Sequence, residues 1–113
     1  MNLDMLARFR ECWEKIESIG TDYASAKADS WHKQELCGSV KASIMNALLQ
    51  MPMSQKEYIA KSHPDYLQHL KETKTAIDKE LRLKASWEAW KSKFEAYRSL
   101  SSLEKAEINR EGH

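Results

Sequence analysis

The sequence predicts an all-α protein dominated by two long helices that pair antiparallel, with short helices beside them. Residues 65–98, DYLQHLKETKTAIDKELRLKASWEAWKSKFEAYR, contain neither glycine nor proline and are rich in strong helix formers. The whole chain of 113 residues has three glycines and two prolines, which leaves little material for turns. Its β-branched residues do not cluster as they do in strands. We therefore expect one helical domain, 1–113, with an N-terminal helix in 1–20 and a helical core in 21–110.

The first helix is predicted to run to about Ile19. Its apolar residues recur at the 3-4-3 spacing of an amphipathic helix, at Leu6, Phe9, Trp13 and Ile16. Gly20 is expected to end this helix, because glycine readily adopts the left-handed conformation that follows many helix ends. Thr21 and Asp22 then offer side-chain oxygens that can cap the next helix.

The second helix is predicted from Asp22 to about Leu49. Its main apolar stripe consists of Leu36, Val40, Ile44, Ala47 and Leu48, while Trp31, Ala24 and Ala28 lie on a different face. The alanines either admit a neighbouring helix or simply favour helix formation. Gly38 costs about 1 kcal/mol relative to alanine inside a helix. We therefore expect it to mark a close helix crossing.

Three sequences resemble the capping box that begins many helices. Residues 54–57 follow the break at Met51-Pro52-Met53 and are expected to start a short helix over 55–61. Residues 62–65 are expected to start the central helix, and Pro64 suits the first turn of that helix. Residues 101–104 are expected to start a short terminal helix that ends near Arg110.

The central helix carries two apolar stripes on nearly opposite faces. The first consists of Leu67, Leu70, Ile77 and Leu81, and the second of Leu83, Trp87, Trp90, Phe94 and Tyr97. Two stripes indicate two partners, one from the same chain and one from another copy. The alternative is a kink or a fold-back that lets a single core use both faces. We expect self-association through Trp87, Trp90, Phe94 and Tyr97, or through the terminal helix after Ser101.

Composition argues against several classes of function. The net charge of +1 gives no large electrostatic footprint for nucleic acid. Cys12 and Cys37 lack a framework spacing, so a reduced, cytoplasmic chain is expected. No apolar run is long enough to span a membrane, and the charged N-terminus is unlike a signal peptide. Asp65 and His69 are expected to form a surface pair rather than a metal site. No phosphate loop or triad spacing is present, so we expect no enzyme activity and no cofactor.

Basic residues of the central helix form a candidate path for phosphate. Lys71, Arg82 and Lys93 recur every eleven residues, close to three helical turns, so they lie in line. Such a line can follow a phosphate backbone, although a solvated face of mixed charge is the commoner meaning of this pattern. Tyr58 and Tyr66 flank Lys61, where they either stack on bases or serve as core residues.

From Asp22 to Ile108 the order of features resembles small helical bacteriophage recombination proteins, the UvsY family of recombination mediators. The resemblance lies in DYASAKADSWHKQELCGSVKAS, KEYIAKSHPDYLQHL and WKSKFEAYRSLSSLEKAEI. In that family a K-x-R-x-D-Y run is linked to single-stranded DNA binding. Lys61, Asp65 and Tyr66 match the run, whereas His63 replaces the arginine and Pro64 is a second departure.

The resemblance implies a mediator that forms a ring-like oligomer in the bacterial host cell. It would bind single-stranded DNA and help load a recombinase in place of single-strand-binding protein. The residues expected to bind DNA are Lys61, His63, Tyr58, Tyr66, Lys71 and Arg82. Because a neutral histidine replaces arginine, binding is expected to be weaker or pH-dependent. The alternative is a small helical adaptor or inhibitor that binds a host protein without DNA.

Overall fold

The computed structural model describes residues 3–111, and every regular element in that range is an α-helix. Helix α1 spans Leu3–Ala47, α2 spans Met53–Ser62, and α3 spans Pro64–Glu111. The two long helices pack against each other. The prediction of an all-α protein with two dominant helices is therefore confirmed. None of the helices in the described range is long and apolar enough to cross a membrane.

The predicted end of the first helix at Gly20 is wrong, because α1 continues through it for another 27 residues. Thr21 does not cap a new helix, and its Oγ1 donates to the Glu17 carbonyl at 2.9 Å. Glycine is used at this position for space rather than for a turn. A Cβ atom on Gly20 would lie 2.9 Å from Nε1 of Trp87, so the indole ring occupies the place of a side chain.

The three predicted capping boxes do not act as caps. Helix α2 begins at Met53 after Pro52, and no side-chain hydrogen bond caps it. Ser62 Oγ instead donates to the carbonyls of Tyr58 and Ile59 at the end of α2. Residues 101–104 lie inside α3, which continues to Glu111 without the predicted break.

Helix α3 is capped by an imidazole. Nδ1 of His63 accepts the backbone N–H of Asp65 at 3.1 Å, and this contact satisfies one of the free donors of the first turn. Pro64 follows as the first helical residue, where its missing N–H costs nothing. The predicted start of the central helix agrees with the structure to within one residue. The predicted capping box at 62–65 is wrong, because His63 caps the helix.

The helices form two compact units, each containing part of α1 and part of α3. Unit 1 consists of 3–23 and 82–111, and unit 2 consists of 24–81 with α2 inside it. In both units the residues that face the opposite helix recur at alternating spacings of three and four. This is the spacing of a coiled-coil seam, and we call these residues the seam.

The seam of unit 1 is aromatic. The Phe9 ring meets the ring of Phe94 edge-on, with centroids 5.4 Å apart, and lies 6.3 Å from that of Tyr97. The rings of Tyr23 and Trp87 are 5.5 Å apart. Early residues of α1 thus meet late residues of α3, so the two segments run antiparallel. The seam residues of this unit are Met5, Phe9, Cys12, Ile16, Ile19 and Tyr23 with Leu83, Trp87, Trp90, Phe94, Tyr97 and Ser101.

The buried residues in the seam of unit 2 are small. Ser30 is fully buried, and Ala26, Thr73 and Ala76 are also buried. The hydroxyl groups of Thr73 and Ser30 form hydrogen bonds within their own helices. Thr73 Oγ1 donates to the carbonyl of His69 at 2.8 Å, and Ser30 Oγ accepts from Gln34. The seam residues of this unit are Ala26, Ser30, Lys33, Cys37, Val40 and Ile44 with Tyr66, His69, Thr73, Ala76 and Glu80.

Candidate functional site

The residues beside the seam divide each unit into two sides. In an antiparallel pair, residues one position after a seam residue lie on the same side of the pair on both helices, and we call them following residues. Residues one position before a seam residue lie on the opposite side, and we call them preceding residues. The grooves follow this rule. A groove of about 430 Å³ in unit 2 is lined by the preceding residues Asp29, Gln68, Glu72, Thr75 and Lys79. A groove of about 760 Å³ in unit 1 is lined by the following residues Trp13, Glu88, Lys91 and Glu95.

The following side of unit 2 is a broad apolar surface, which we call the apolar flank. The side chain of Trp31 is 64% exposed, that of Leu67 is 50% exposed and that of Leu81 is 53% exposed. A monomer rarely leaves so many large apolar side chains together in water. The flank consists of Ala24, Lys27, Trp31, Gln34, Gly38, Lys41 and Met45 of α1 with Leu67, Leu70, Lys74, Ile77 and Leu81 of α3.

The only charged side chains of the apolar flank are lysines. Lys41 lies at one end of the flank, where its Nζ is 3.6 Å from Oε1 of Glu57 in α2. Lys27 and Lys74 form no ion pair with any residue in 3–111. None of the flank positions holds aspartate or glutamate. The flank is therefore apolar at its centre and positive in its charge.

The preceding side of unit 2, the polar flank, has the opposite character. Nζ of Lys33 lies 3.2 Å from Oδ2 of Asp29, and Gln68 donates to Glu72 at 3.2 Å. These pairs lie along the groove of about 430 Å³. Unit 2 thus exposes an apolar, lysine-bearing surface on one side and a mixed, internally paired surface on the other.

Gly38 lies in the apolar flank and not at a crossing inside the chain. A Cβ atom placed there would meet no heavy atom within 4 Å. The predicted close crossing is therefore wrong for the contacts of the described residues. Gly20 and Gly38 are both helical, but only Gly20 has a packing reason within the chain.

The four residues predicted to form an oligomer interface, Trp87, Trp90, Phe94 and Tyr97, lie in the seam of unit 1. They pack on α1, as the fold-back alternative expects, and are half-buried. Lysine side chains cover two of the rings: Nζ of Lys91 is 3.8 Å from the centroid of Trp87, and Nζ of Lys93 is 4.6 Å from that of Trp90. Self-association through these residues stays a prediction.

The residues predicted to bind DNA are distributed over both units. Tyr58 and Lys61 are three residues apart on α2, so they are neighbours on one exposed face, and Tyr58 is 78% exposed. Lys71 is exposed on α3, whereas Tyr66 is half-buried in the seam. Arg82 is exposed but belongs to unit 1. Only Tyr58 and Lys61 therefore combine an exposed ring with an exposed ammonium group.

His63 has a structural role that the sequence pattern did not reveal. Its Nδ1 can accept the Asp65 N–H only while that nitrogen is unprotonated. Oδ2 of the Asp65 carboxylate lies 3.8 Å from the same nitrogen. This nitrogen is thus occupied within the chain and is not free to contact a phosphate.

The remaining titratable groups of interest lie in the seams. Nε2 of His69 lies 2.9 Å from the Lys33 carbonyl, which can only accept, so this histidine is a seam residue and not part of a surface pair. Burial raises the pKa of the Cys12 thiol, although the nearby Lys93 ammonium opposes the change. Trp87 Nε1 is buried without a hydrogen-bond partner in the described part of the chain. No three potential ligands there converge on a metal site.

No family model, curated protein sequence or solved structure matches the chain. The resemblance to recombination mediators therefore stays a prediction, and the geometry of the molecule carries the functional inference.

Sequence patterns located the apolar flank only in part. The sequence shows the stripe of Leu67, Leu70, Ile77 and Leu81, but not that its three leucines are exposed. The sequence also shows that Trp31 lies on a different face of its helix from the main apolar stripe. It does not show that Trp31 and the leucines of α3 lie on the same side of the helix pair. The signal was the 3-4 series of small residues through Ala26 and Ser30, which identifies the true seam and so turns Trp31 outward.

Proposed function

We propose that the protein is a non-catalytic helical adaptor that binds another protein through the apolar flank of unit 2. The observation that carries this proposal is the exposure of Trp31, Leu67 and Leu81 beside a seam whose buried residues are small. Burying such side chains against a partner removes apolar area from water, at about 25 cal/mol per Å². The same residues contribute little to the chain's own packing, so their size is best explained by a contact outside it.

Site-directed photocrosslinking in the cells that express the protein tests this proposal. A photoreactive amino acid at Leu70 places the probe on the apolar flank. The same probe at Thr75 places it on the polar flank of the same helix. We expect a discrete protein adduct from position 70 that is absent from position 75. The proposal is wrong if position 70 gives no adduct, or if both positions give the same ones.

The mediator hypothesis is a second proposal, and one observation favours it. Tyr58 and Lys61 lie side by side on the exposed face of α2, where a ring can stack on a base and an ammonium group can contact a phosphate. This function would also need the ring-like oligomer, the recombinase and the displaced single-strand-binding protein that the resemblance implies. His63 would contribute little charge while it caps α3.

Binding to a labelled single-stranded oligonucleotide at several salt concentrations tests the second proposal. Each phosphate neutralised should contribute a slope of about −0.7 in log K against log salt. Lys61→Ala should weaken binding and flatten that slope, whereas Lys79→Ala, which removes a lysine of the polar flank, should not. Equal effects of the two variants, or no binding at all, would remove DNA from the proposed function.

A further inference from the structure

We propose that the partner of the apolar flank is an acidic amphipathic helix, bound along the flank between α1 and α3. The proposal rests on the adaptor function, because it names the chemistry of the partner. Three features of the flank carry it: the spacing of its apolar residues, the sign of its charges and the open position at Gly38.

The spacing of the apolar residues fits one helix. Leu67, Leu70, Ile77 and Leu81 are separated by three, seven and four residues along α3, and Trp31 belongs to the same flank on α1. The distance from Leu67 to Leu81 is about 21 Å, at a rise of 1.5 Å per residue. Helices that bind in grooves present anchors at intervals of three, four and seven residues over about this length.

The charges of the flank select an acidic partner. Lys27 and Lys74 lie among the apolar residues without an ion pair in the described chain, and the carboxylate of Glu57 pairs with Lys41 at the end of the flank and not with them. A second copy docked flank to flank would bring lysines together, which is unfavourable. A helix with glutamate or aspartate beside its apolar stripe would pair with both lysines.

Gly38 distinguishes a helix from an anionic membrane surface. The glycine weakens α1 by about 1 kcal/mol relative to alanine, and no contact among residues 3–111 compensates for this cost. A membrane surface that binds apolar and basic side chains has no use for a missing Cβ atom. The backbone of a partner helix does, because it can approach α1 closely at that point.

Two designed peptides test the proposal with the full-length chain. Each has 21 residues, with leucine at the first and fourth positions of every heptad. One has glutamate and the other lysine at the flanking positions. In a fluorescence anisotropy titration, the chain should bind the glutamate peptide at least tenfold more tightly than the lysine peptide. Reversing the charge of Lys27 and Lys74 together (K27E/K74E) should weaken its binding by roughly tenfold and strengthen that of the lysine peptide.

A pair of matched variants tests the close approach at Gly38. Gly38→Leu places a side chain in the proposed path of the partner helix. It should lower the affinity for the glutamate peptide by at least tenfold. Ser39→Leu adds the same side chain on the polar side of α1, where it should have no effect. Both variants should keep the helical circular dichroism of the parent, since neither position is buried. Equal binding of the two variants would refute a helix crossing at Gly38.

Other occupants give distinct results. Sedimentation of the chain alone tests for a second copy. A dimer that dissociates in Leu70→Glu would mean that a second copy occupies the flank. Binding to phosphatidylserine vesicles that needs Trp31 and is insensitive to Gly38→Leu would mean a membrane surface. Equal affinity for the two peptides would overturn the acidic partner. The identity of the adduct at position 70 decides separately whether the adaptor function survives: an adduct with another protein supports it, whereas an adduct between two copies of the chain, or no protein adduct, overturns it.

Discussion

The two units use the same pair of helices and the same seam spacing in opposite ways. Unit 1 places its large aromatic residues between the helices, as in the contact of Phe9 with Phe94, and positions lysine ammonium groups over the rings of two tryptophans. Unit 2 places Ser30 and Thr73 between the helices and leaves Trp31 and Leu67 outside. Seam spacing therefore determines how the helices pair, whereas side-chain size determines whether apolar area is buried or remains available for binding.

This difference predicts that the stability of the chain depends on the seam of unit 1. Phe94→Ala should lower the free energy of unfolding by about 3 kcal/mol, because it removes a ring packed against another ring. Leu70→Ala, in the apolar flank, should cost less than about 1 kcal/mol since its side chain is already 39% exposed. Urea denaturation followed by circular dichroism measures both values.

Equal losses for the two variants would contradict the comparison, since they would mean that Leu70 is buried in solution. In that case its neighbour would be another copy of the chain. Repeating the denaturation at several protein concentrations would reveal this, because the midpoint of a dimer rises with concentration. A concentration-independent midpoint with a large loss only for Phe94→Ala is the expected result.

The sequence predicted the helical class and the positions of both long helices in the core, but not their continuity. The break at Gly20 was expected from the intrinsic preference of glycine for turns. Tertiary packing overrides that preference, since Trp87 lies against the glycine. Ser101 and its neighbours fit a capping box equally well, yet they lie inside α3. Local signals do not reveal whether a seam continues through them on the opposite helix.

The candidate surface was less predictable than the fold. Which apolar stripe of α3 faces outward depends on which residues of α1 lie opposite, and this pairing is a property of the hairpin and not of either helix. Once Ala26 and Ala76 are identified as seam residues, the exposure of Trp31 and the position of the half-buried Ile77 beside the seam follow from helical geometry. Two such alanines in isolation resemble ordinary helix formers.

The two helical glycines should respond to alanine with opposite signs. Gly20→Ala introduces a Cβ atom 2.9 Å from Trp87 and should destabilise the chain by about 1 kcal/mol despite the better helix propensity of alanine. Gly38→Ala meets open space and should stabilise the chain by about 0.5–1 kcal/mol. Thermal denaturation of the two variants measures the difference. Two changes of the same sign would contradict the packing of Trp87 on α1.

The smallest expected contrast concerns the two thiols. Cys12 in unit 1 is 1% exposed, whereas Cys37 in unit 2 is half-buried and its Sγ lies 4.0 Å from the Thr73 hydroxyl. An aromatic disulfide reagent should therefore modify one thiol per native chain at a measurable rate. The reagent should modify the first thiol, Cys37, in the native chain. The buried Cys12 should react only when the chain transiently unfolds around it. In Cys37→Ser, the fast reaction should disappear while the slow one remains.

The raised pKa of Cys12 adds a pH dependence with a definite sign. Folding favours the neutral thiol over the thiolate, so this contribution is complete below the ordinary thiol pKa of 9.0 and is lost as the pH rises through the raised value. The free energy of unfolding should thus decline above about pH 9 more steeply in the parent than in Cys12→Ala. All other groups are the same in both proteins, so only the difference between the two slopes reports on the thiol. Parallel slopes would mean that Cys12 ionises as easily in the folded chain as in the unfolded one, which would place it outside the seam of unit 1.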